Sequence, residues 1–341
     1  MQKIHINQVT KIFGQQTDKA QKMVKAGASK SEIFSETGCT VGLRNVSLEI
    51  PEGQIFVIMG LSGSGKSTLI RHVNRLIEPT EGEILVDGED VLQKNEEALR
   101  DFRRNNISMV FQHFGLLPHK TVLENVGYGL KIRGLSKEAV RSEAEKWIDT
   151  VGLNGYNDVR PGQLSGGMRQ RVGLARAFAT NPDILLMDEP FGALDPLIRR
   201  DMQDQLLEIQ SNLKKTVLFI THDLDEALKL GNQIAIIKDG EVIQVDTPED
   251  LILNPATDYV RSFTRDINRG KFVKASSIMV KEEGIDPGSH IVVDSSTTLS
   301  DLLPLVFKDN SDHILVADEG VMCGKINKRT LMATFNDSSV N

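Results

Sequence analysis

This sequence has few cysteines, no net positive charge and no long apolar runs, and each lack excludes a class of protein. Only two cysteines occur, Cys39 and Cys323, far apart and without metal-ligand spacing, so we expect structural thiols in a reducing compartment. The formal net charge of −7 argues against a general nucleic-acid binder. The longest apolar stretches, such as residues 183–187, have the length of a strand and not of a membrane span. Because the N-terminal segment lacks the apolar core of a secretion signal, we expect a cytosolic chain that reaches a membrane only through a partner.

What is present is an alternation of apolar, strand-length runs with helical patterns. The 341 residues are enough for about two domains. Strands that alternate with helices indicate an α/β fold with a parallel sheet, and continuous apolar runs indicate strands buried on both faces. Trp147 lies on the apolar face of a helical pattern and is predicted to be a core residue. The predicted strands are 1–13, 43–50, 55–59, 84–88 with its turn, 107–111, 184–187 and 217–220, and the predicted helical stretches are 95–104 and 123–153.

Residues 15–40 interrupt this alternation between the first two strands. Residues 18–25 have a helical pattern, Gly27 interrupts it, and residues 29–32 resemble a capping box that starts a second short helix. A small helical insertion is the favoured interpretation, and a solvated spacer is the alternative.

The character of the chain changes again near residues 268–275. We place a domain boundary there, with one domain at 1–270 and a second at 271–341. The second part is predicted to be a small β/α module. Its elements are Val292, a helix at 298–307, a strand at 313–317, a turn at 318–320 and a closing segment at 328–335.

A glycine-rich stretch at residues 60–68 follows the apolar strand predicted at 55–59 and opens a helix. This context is typical of a phosphate-binding loop of the Walker A type. Successive backbone N–H groups of such a loop face phosphate oxygens, and the helix N-terminus adds partial positive charge. We expect Lys66 to reach the β- and γ-phosphates and Ser67 to offer its hydroxyl to Mg²⁺. The loop residues expected to hold the nucleotide are Gly60, Ser62, Gly63, Ser64, Gly65, Lys66, Ser67 and Thr68.

Residues 184–189 place two carboxylates at the end of a second buried strand. We expect Asp188 to hold Mg²⁺ through water and Glu189 to polarise the attacking water. Alone, an Asp-Glu turn after a core strand is a common arrangement. Together with the phosphate loop, the two carboxylates indicate nucleotide hydrolysis.

Within residues 164–170, Ser165 and the two glycines precede a helix predicted to begin near Met168, and they form a second anion-binding helix N-terminus. This stretch lies about a hundred residues from the phosphate loop, and one triphosphate hardly needs two cradles from one subunit. A two-fold dimer resolves the excess, because an isologous interface brings each second cradle onto the partner's nucleotide. We therefore expect a second copy of the chain as a partner. Taken alone, the stretch would be a capped helix start.

In their order along the chain, these motifs resemble an ATP-binding cassette (ABC) ATPase over roughly residues 1–250. The resemblance implies ATP and Mg²⁺ as ligands. It also implies a P-loop NTPase cassette, with a RecA-like parallel-sheet core and a helical subdomain at about 114–165. The motifs that carry it are the Walker A loop at 60–68, Gln112, the signature at 164–167, the Walker B strand at 184–189, the run 193–195 and His222.

The same resemblance assigns roles to residues outside the phosphate loop. Gln112 would sense Mg²⁺ and the γ-phosphate and relay to a partner, and His222 would contact the γ-phosphate and position Glu189. Ser165 and Gly167 would contact the γ-phosphate of the opposite subunit. Asp195 would communicate across the dimer. The implied catalytic residues are Glu189, His222, Lys66 and Gln112, the implied metal ligands are Ser67, Gln112 and Asp188, and Gly166 and Asp195 complete the implied nucleotide contacts.

The family places an aromatic residue on the first strand, and Phe13 matches that position. A flat apolar ring suits stacking on adenine. The insertion that follows departs from the common family pattern, so a core phenylalanine is the alternative.

Several stretches narrow the resemblance to the ATPase subunits of glycine betaine/proline betaine (quaternary amine) importers. They are the insertion, the phosphate loop and residues 74–79, 164–177 and 221–227. This subfamily implies an ATP-hydrolysing subunit peripheral to the cytoplasmic face of the inner (cell) membrane. The partners that it implies are an integral membrane permease, which residues 113–135 would dock, and an extracytoplasmic solute-binding protein. It implies no nucleic acid. Choline, carnitine and trimethylamine N-oxide are alternative solutes, and a soluble non-transport ABC ATPase is the alternative class.

The tail resembles a cystathionine-β-synthase (CBS) motif at residues 314–318 and 321–331. The subfamily commonly carries two such motifs, which pair, and only one is found here. The motif would either pair across the homodimer or be a degenerate remnant with a structural role.

Overall fold

The computed structural model describes residues 2–112, 114–265, 267–282, 290–306 and 312–336. The strands are β1 (Gln2–Phe13), β2 (Thr40–Pro51), β3 (Ile55–Met59), β4 (Glu81–Val86), β5 (Glu89–Asp90), β6 (Ile107–Val110), β7 (Ile184–Asp188), β8 (Thr216–Thr221), β9 (Gln233–Lys238), β10 (Glu241–Asp246), β11 (Val280–Lys281), β12 (Val292–Asp294), β13 (His313–Asp318) and β14 (Val321–Asn327).

The helices lie between these strands, with two short 3₁₀ segments at Val91–Gln93 and Pro161–Gln163. They are α1 (Thr17–Lys25), α2 (Lys30–Thr37), α3 (Lys66–Val73), α4 (Glu96–Asn105), α5 (Val122–Val126), α6 (Tyr128–Ile132), α7 (Lys137–Thr150), α8 (Gly166–Ala179), α9 (Pro196–Leu213), α10 (Leu224–Leu230), α11 (Pro248–Leu253), α12 (Asp258–Thr264), α13 (Arg269–Phe272), α14 (Ala275–Ile278), α15 (Leu299–Val306) and α16 (Lys328–Asn336).

A six-stranded sheet in the order β10-β9-β3-β8-β7-β6 forms the centre of the fold. The five strands from β9 to β6 are parallel, and β10 returns antiparallel to β9. All five residues of β3 and all five of β7 are buried, because helices cover both faces of the sheet. The prediction of an α/β fold with a buried parallel sheet is confirmed.

The first strands form a separate antiparallel sheet in the order β2-β1-β4-β5. The prediction of strands at 1–13 and 43–50 is confirmed, but their place beside β4 and outside the parallel sheet was not foreseen. Buried and exposed residues alternate along much of β2, as expected for a sheet with one covered face. The pairing of β1 with β2 brings Phe13 opposite Thr40, so the residues between them leave and re-enter the fold at one point.

Residues 15–40 contain the helices α1 and α2, and the predicted capping box is confirmed. The Ser29 hydroxyl accepts a hydrogen bond from the Glu32 N–H, and the Glu32 carboxylate accepts one from the Ser29 N–H. A small apolar cluster joins the helices to the sheet, formed by Ile12, Ala20, Ile33, Cys39 and Val41. A solvated spacer would have no such core.

The helical stretch predicted at 123–153 consists of three helices, α5, α6 and α7. Gly127 separates the first two, and Gly134, at a φ of +83°, helps to end α6. Trp147 is buried as predicted, and its ring stacks on Phe178 with centroids 5.3 Å apart. The contact fixes α7 against α8, the helix that follows the signature.

A second module follows α12, with a four-stranded sheet in the order β11-β14-β13-β12. The strand predicted at 313–317 is β13, and α15 covers the predicted helix at 298–307 except its ends, with residue 307 outside the described residues. An ion pair of 2.7 Å joins Lys274 to Glu249 of α11. Both cysteines are free thiols. Among the described helices, none combines the length and the apolarity that a membrane crossing needs.

Candidate functional site

The predicted phosphate loop joins β3 to α3 and lines a cleft of about 810 Å³. A volume of this size lies within the usual range for small-molecule sites. The cleft brings together residues that are far apart in the sequence. Its lining consists of Phe13, Lys30, Thr40, Val41, Gly42, Leu61, Ser62, Gly63, Gly65, Lys66, Ser67, Thr68, Gln112, Glu189, His222 and Asp239.

Two glycines of the loop stand where a side chain does not fit. A Cβ at Gly60 would lie 2.2 Å from the Ile237 carbonyl oxygen. Gly65 has a φ of +105°, and its Cβ would lie 2.6 Å from the Gly42 carbonyl oxygen. The Ser64 hydroxyl is buried and has no hydrogen-bond partner among the described residues. The loop is therefore tightly packed against the sheet, and Gly60 and Ser64 are not among the residues that line the cleft.

Lys66 begins α3, and its side chain is 4% exposed. The ammonium donates to the carbonyl oxygens of Gly60 at 2.8 Å and Leu61 at 3.0 Å. It also lies 3.8 Å from Glu189 Oε1. Burial lowers the pKa of Lys66, and the nearby charges of Glu189 and Asp188 oppose that shift. The cation is therefore held inside the loop, and Lys66 lines the cleft.

Ser67 and Asp188 form the oxygen-rich part of the site. The Ser67 hydroxyl donates to Asp188 Oδ1 at 2.8 Å, and Arg71 Nη2 lies 3.2 Å from Asp188 Oδ2. Hydroxyl and carboxylate oxygens are the donors that Mg²⁺ prefers, and it commonly takes one or two protein ligands besides substrate phosphates. The described residues contain no cluster of three or more metal-binding side chains. The residues present therefore fit Mg²⁺ held jointly with a nucleotide.

Glu189 follows β7 and is held from two sides. Gln112 Nε2 donates to Glu189 Oε2 at 3.3 Å, and His222 Nδ1 lies 3.0 Å from the same oxygen. The Glu189 backbone has a φ of +45°, in the left-handed region that non-glycine residues rarely adopt. Its N–H donates to the Ile220 carbonyl at 3.1 Å. Gln112, Glu189 and His222 thus meet at the carboxyl ends of β6, β7 and β8, where ligands bind in open α/β sheets.

The signature residues lie outside this cleft. Ser165 caps α8 by accepting a hydrogen bond from the Met168 N–H, so α8 begins at Gly166, two residues before the predicted start. Asp195 caps α9 in the same way. A Cβ on Gly167 would lie 2.6 Å from Ile198 Cγ2, which shows that the two helix starts pack together. Ser165, Gly166, Gly167 and Asp195 are therefore apart from the residues that line this chain's own cleft.

Phe13 lines the cleft and is 41% exposed, so it is not a core residue. The Lys11 ammonium lies 5.0 Å from the ring centroid. A Cβ on Gly42 would lie 2.9 Å from the ring, so a larger residue there would displace the ring from its present position. The stacking of Phe13 on adenine stays a prediction.

Sequence reasoning missed the wall of the cleft that α2 and the neighbouring strands provide. Lys30, Gly42 and Asp239 belong to α2, β2 and the turn between β9 and β10. The pairing of β1 with β2 places Lys30 and Gly42 there, and the Arg44 N–H donates to the Gly240 carbonyl at 2.8 Å, which holds the turn of Asp239 beside β2. The signal that would have found this wall is an antiparallel pairing of residues 1–13 with residues 40–51.

Comparisons with known proteins identify the family of the chain. A family model described as ABC transporter matches residues 43–192. The glycine betaine/carnitine transport ATP-binding protein of Listeria monocytogenes is 54% identical over 83% of this chain and 71% of that protein. The trimethylamine N-oxide transport system ATP-binding protein of Ruegeria pomeroyi is 46% identical over 96% of this chain and 95% of that protein. A bacterial ABC transporter cassette solved as a dimer is 35% identical, with a TM-score of 0.62 over 72% of this chain and 98% of that chain.

Proposed function

The chain belongs to the ATP-binding proteins of ABC transporters, and from that premise we propose that it is the ATP-hydrolysing subunit of an importer for a compatible solute of the glycine betaine type. The observation that carries the hydrolytic part is the Glu189 carboxylate, which Gln112 and His222 hold beside the phosphate loop. The solute class is supported by the 54% identity to a glycine betaine/carnitine transport protein.

The side chains of the cleft divide the work of hydrolysis among them. The loop N–H groups and Lys66 bind the phosphate oxygens. Ser67 and Asp188, with Gln112, would hold Mg²⁺, which offsets negative charge on the β- and γ-phosphates when bound. Glu189 orients the attacking water and accepts its hydrogen bond. Gln112 and His222 keep the Glu189 carboxylate from rotating away, and His222 also faces the γ-phosphate.

A second copy of the chain would complete the site. Because Ser165 and Gly167 lie away from the cleft of their own chain, we assign them to the γ-phosphate of the partner's nucleotide. Exposed apolar side chains support a covered surface here, since Leu197 beside Asp195 is 69% exposed and Leu61 of the phosphate loop is 57% exposed. Asp195 would lie at this interface.

The dimer is tested with Glu189→Gln, which keeps the size of the side chain and removes its charge. With saturating ATP and Mg²⁺ we expect this variant to sediment as a dimer and to show no turnover, because both cradles remain while hydrolysis fails. Adding Ser165→Ala should return it to the monomer. A Glu189→Gln protein that binds ATP and stays monomeric would contradict the assignment of Ser165.

We propose that the permease docks in the groove next to Gln112. This groove of about 520 Å³ is lined by residues of α4, β6, α6 and α8, and by the segment after β6. Phe111, Tyr128 and Ile132 expose apolar surface there, with fractions of 36%, 39% and 47%. Four arginines of the lining, Arg100, Arg103, Arg104 and Arg176, add positive charge, although Glu96 and Asp101 pair with Arg100 and Arg104. An amphipathic cytoplasmic helix of a permease fits an apolar groove with a basic rim.

His113, the first residue of the predicted docking segment 113–135, lies outside the described residues. This docking would hold the chain at the cytoplasmic face of the cell membrane, where an extracytoplasmic solute-binding protein would supply the solute.

We divide the chain into an ATPase domain at 1–270, with its helical subdomain at about 114–165, and a CBS-like module at 271–341. The separate four-stranded sheet after α12 supports the division. Apolar residues on both sides of the boundary belong to one continuous cluster, among them Val260 and Val273. A module attached in this way is placed to transmit a regulatory signal into the cassette.

Trimethylamine N-oxide is the second candidate solute. The Ruegeria relative matches this chain nearly end to end, and its alignment therefore includes most of the C-terminal module. Both solutes carry a trimethylated nitrogen with a formal positive charge. Both would be selected by the permease and its solute-binding protein.

Uptake by source cells distinguishes these solutes. Cells with the intact gene, with the gene deleted and with the Glu189→Gln allele are given labelled glycine betaine at low and at high salt. We expect uptake only with the intact gene, and unlabelled trimethylamine N-oxide should not compete with it. The outcome that transfers the proposal to the second solute is the reverse. The deletion strain and the Glu189→Gln strain would then still take up glycine betaine, and both would lose the uptake of labelled trimethylamine N-oxide.

A further inference from the structure

The insertion is held against the cassette at two places. Gln21 and Lys25 of α1 contact the two oxygens of the Glu81 carboxylate at 2.7 Å and 2.8 Å. On the other side, the Arg44 guanidinium donates to the Ala28 carbonyl between α1 and α2, and Arg44 Nε lies 3.5 Å from Glu241. Together with its own apolar cluster, these contacts fix where α2 begins.

The first residue of α2 is Lys30, and it lines the nucleotide cleft with Phe13 and the phosphate loop. Its side chain is half-buried. Within the described part of the chain, the Lys30 ammonium makes no hydrogen bond and no ion pair, and Asp239 and Glu241 act on it only as charges at a distance. Burial lowers the pKa of Lys30, because the protein stabilises the charged ammonium less than water does.

Lys30 is a partly desolvated cation without a partner, and it lies at the wall of a cleft that takes a polyanion. A charge-assisted hydrogen bond to that polyanion would compensate its lost hydration. The other lysines of the insertion differ from it. Lys25 is paired with Glu81, and Lys19 lies 3.2 Å from Glu36. Lys22 is exposed and is not among the residues that line the cleft.

We propose that Lys30 is a nucleotide-binding residue, whose ammonium binds phosphate oxygens of ATP from the wall that α2 and β2 form beside Phe13. The proposal rests on the ATP-binding function above. In this arrangement the insertion closes the cleft beside Phe13, and the triphosphate lies between two cations, Lys66 from the loop and Lys30 from α2. The insertion would then be part of the nucleotide site as well as a connection between β1 and β2.

The test is the dissociation constant for nucleotide, measured by calorimetry on the full chain. ADP is titrated into the wild type and its variants, and ATP into the same variants carrying Glu189→Gln. Loss of one charge-assisted hydrogen bond corresponds to about a tenfold weaker affinity. We expect that loss for Lys30→Ala and for Lys30→Gln, and a change of less than about threefold for Lys30→Arg, which keeps the charge. The effect should shrink as salt is raised, because the contact is ionic and partly exposed.

Lys22→Ala is the matched control, since it removes a lysine from the same insertion outside the cleft. It should bind both nucleotides as the wild type does. Lys66→Ala reports on the site itself. If Lys66→Ala loses affinity while Lys30→Ala and Lys30→Gln keep it for ADP and for ATP, the assignment of Lys30 is wrong and the nucleotide site stands. If the wild type binds neither nucleotide, the proposed function fails as a whole.

Discussion

A buried histidine on the helix after the phosphate loop makes the stability of this protein depend on pH. His72 is fully buried on α3, where its Nδ1 lies 2.5 Å from the Thr68 carbonyl oxygen. Its Nε2 is buried and has no hydrogen-bond partner among the described residues. Burial lowers the pKa of His72 from 6.5 to about 4, helped by the charge of Lys11 and opposed by the bond to Thr68. The folded protein therefore holds the neutral ring with the proton on Nδ1.

The sign and size of the effect follow from the two pKa values. Above pH 6.5 the ring is neutral in both states, and its titration does not affect stability. As the pH falls from 6.5 to 4, the unfolded chain binds a proton that the folded chain does not, so the free energy of unfolding decreases. One pKa unit corresponds to ~1.4 kcal/mol, which gives about 3 kcal/mol in full and about 2 kcal/mol between pH 7 and pH 5.

The assay compares wild type with His72→Asn, which retains an amide donor for the Thr68 carbonyl and removes the titrating ring. Urea unfolding at pH 7 and pH 5, without nucleotide, is followed by the fluorescence of Trp147, the only tryptophan. We expect the wild type to lose about 2 kcal/mol more than the variant over this interval. The buried Glu226, whose pKa burial raises, contributes equally to both proteins and cancels. Equal losses in wild type and His72→Asn would refute the reasoning, and His119→Asn, at an exposed site, controls for the loss of any histidine.

Three further substitutions test the packing around the site. Gly60→Ala places a Cβ 2.2 Å from the Ile237 carbonyl oxygen, and should destabilise the cassette by about 1–3 kcal/mol in urea unfolding; Gly162→Ala, with nothing within 4 Å, should not. Trp147→Ala removes a ring stacked 5.3 Å from Phe178, and should cost about 3–5 kcal/mol by circular dichroism in urea, whereas a phenylalanine there should cost less than half as much. Ser165→Ala removes the cap of α8, and should cost about 1 kcal/mol of stability while nucleotide binding by the monomer, followed by calorimetry, stays unchanged.

The parts of the site that could be predicted from the sequence are those where neighbouring residues define the chemistry. Lys66 and Ser67 follow a buried strand and its glycine-rich loop, and Asp188 ends another strand, so local pattern is enough to place all of them at one edge of a parallel sheet. The capping box at Ser29 is equally local. Each of these rests on a few consecutive residues.

The parts that could not be predicted depend on pairing between distant segments. The antiparallel sheet of β1, β2, β4 and β5 depends on a register over separations that local pattern does not encode. Lys30 enters the cleft only because that register returns the chain at Thr40 beside Phe13. The predicted 123–153 stretch breaks at two glycines, Gly127 and Gly134, which the sequence shows. The helical pattern continues across them, so local pattern favours a single helix there.

The same strand order that builds the catalytic site also connects it to the proposed docking groove. Gln112 follows β6 at the edge of the central sheet, and Phe111, its neighbour in the chain, lines the groove. The bond from Gln112 Nε2 to Glu189 Oε2 measures 3.3 Å, close to the longest distance at which such a bond still holds. A docked permease helix that moves Phe111 by about an ångström would therefore make or break this contact. With Glu189 positioned by Gln112 and His222 as proposed, hydrolysis would follow the state of the permease without any residue of the groove touching ATP.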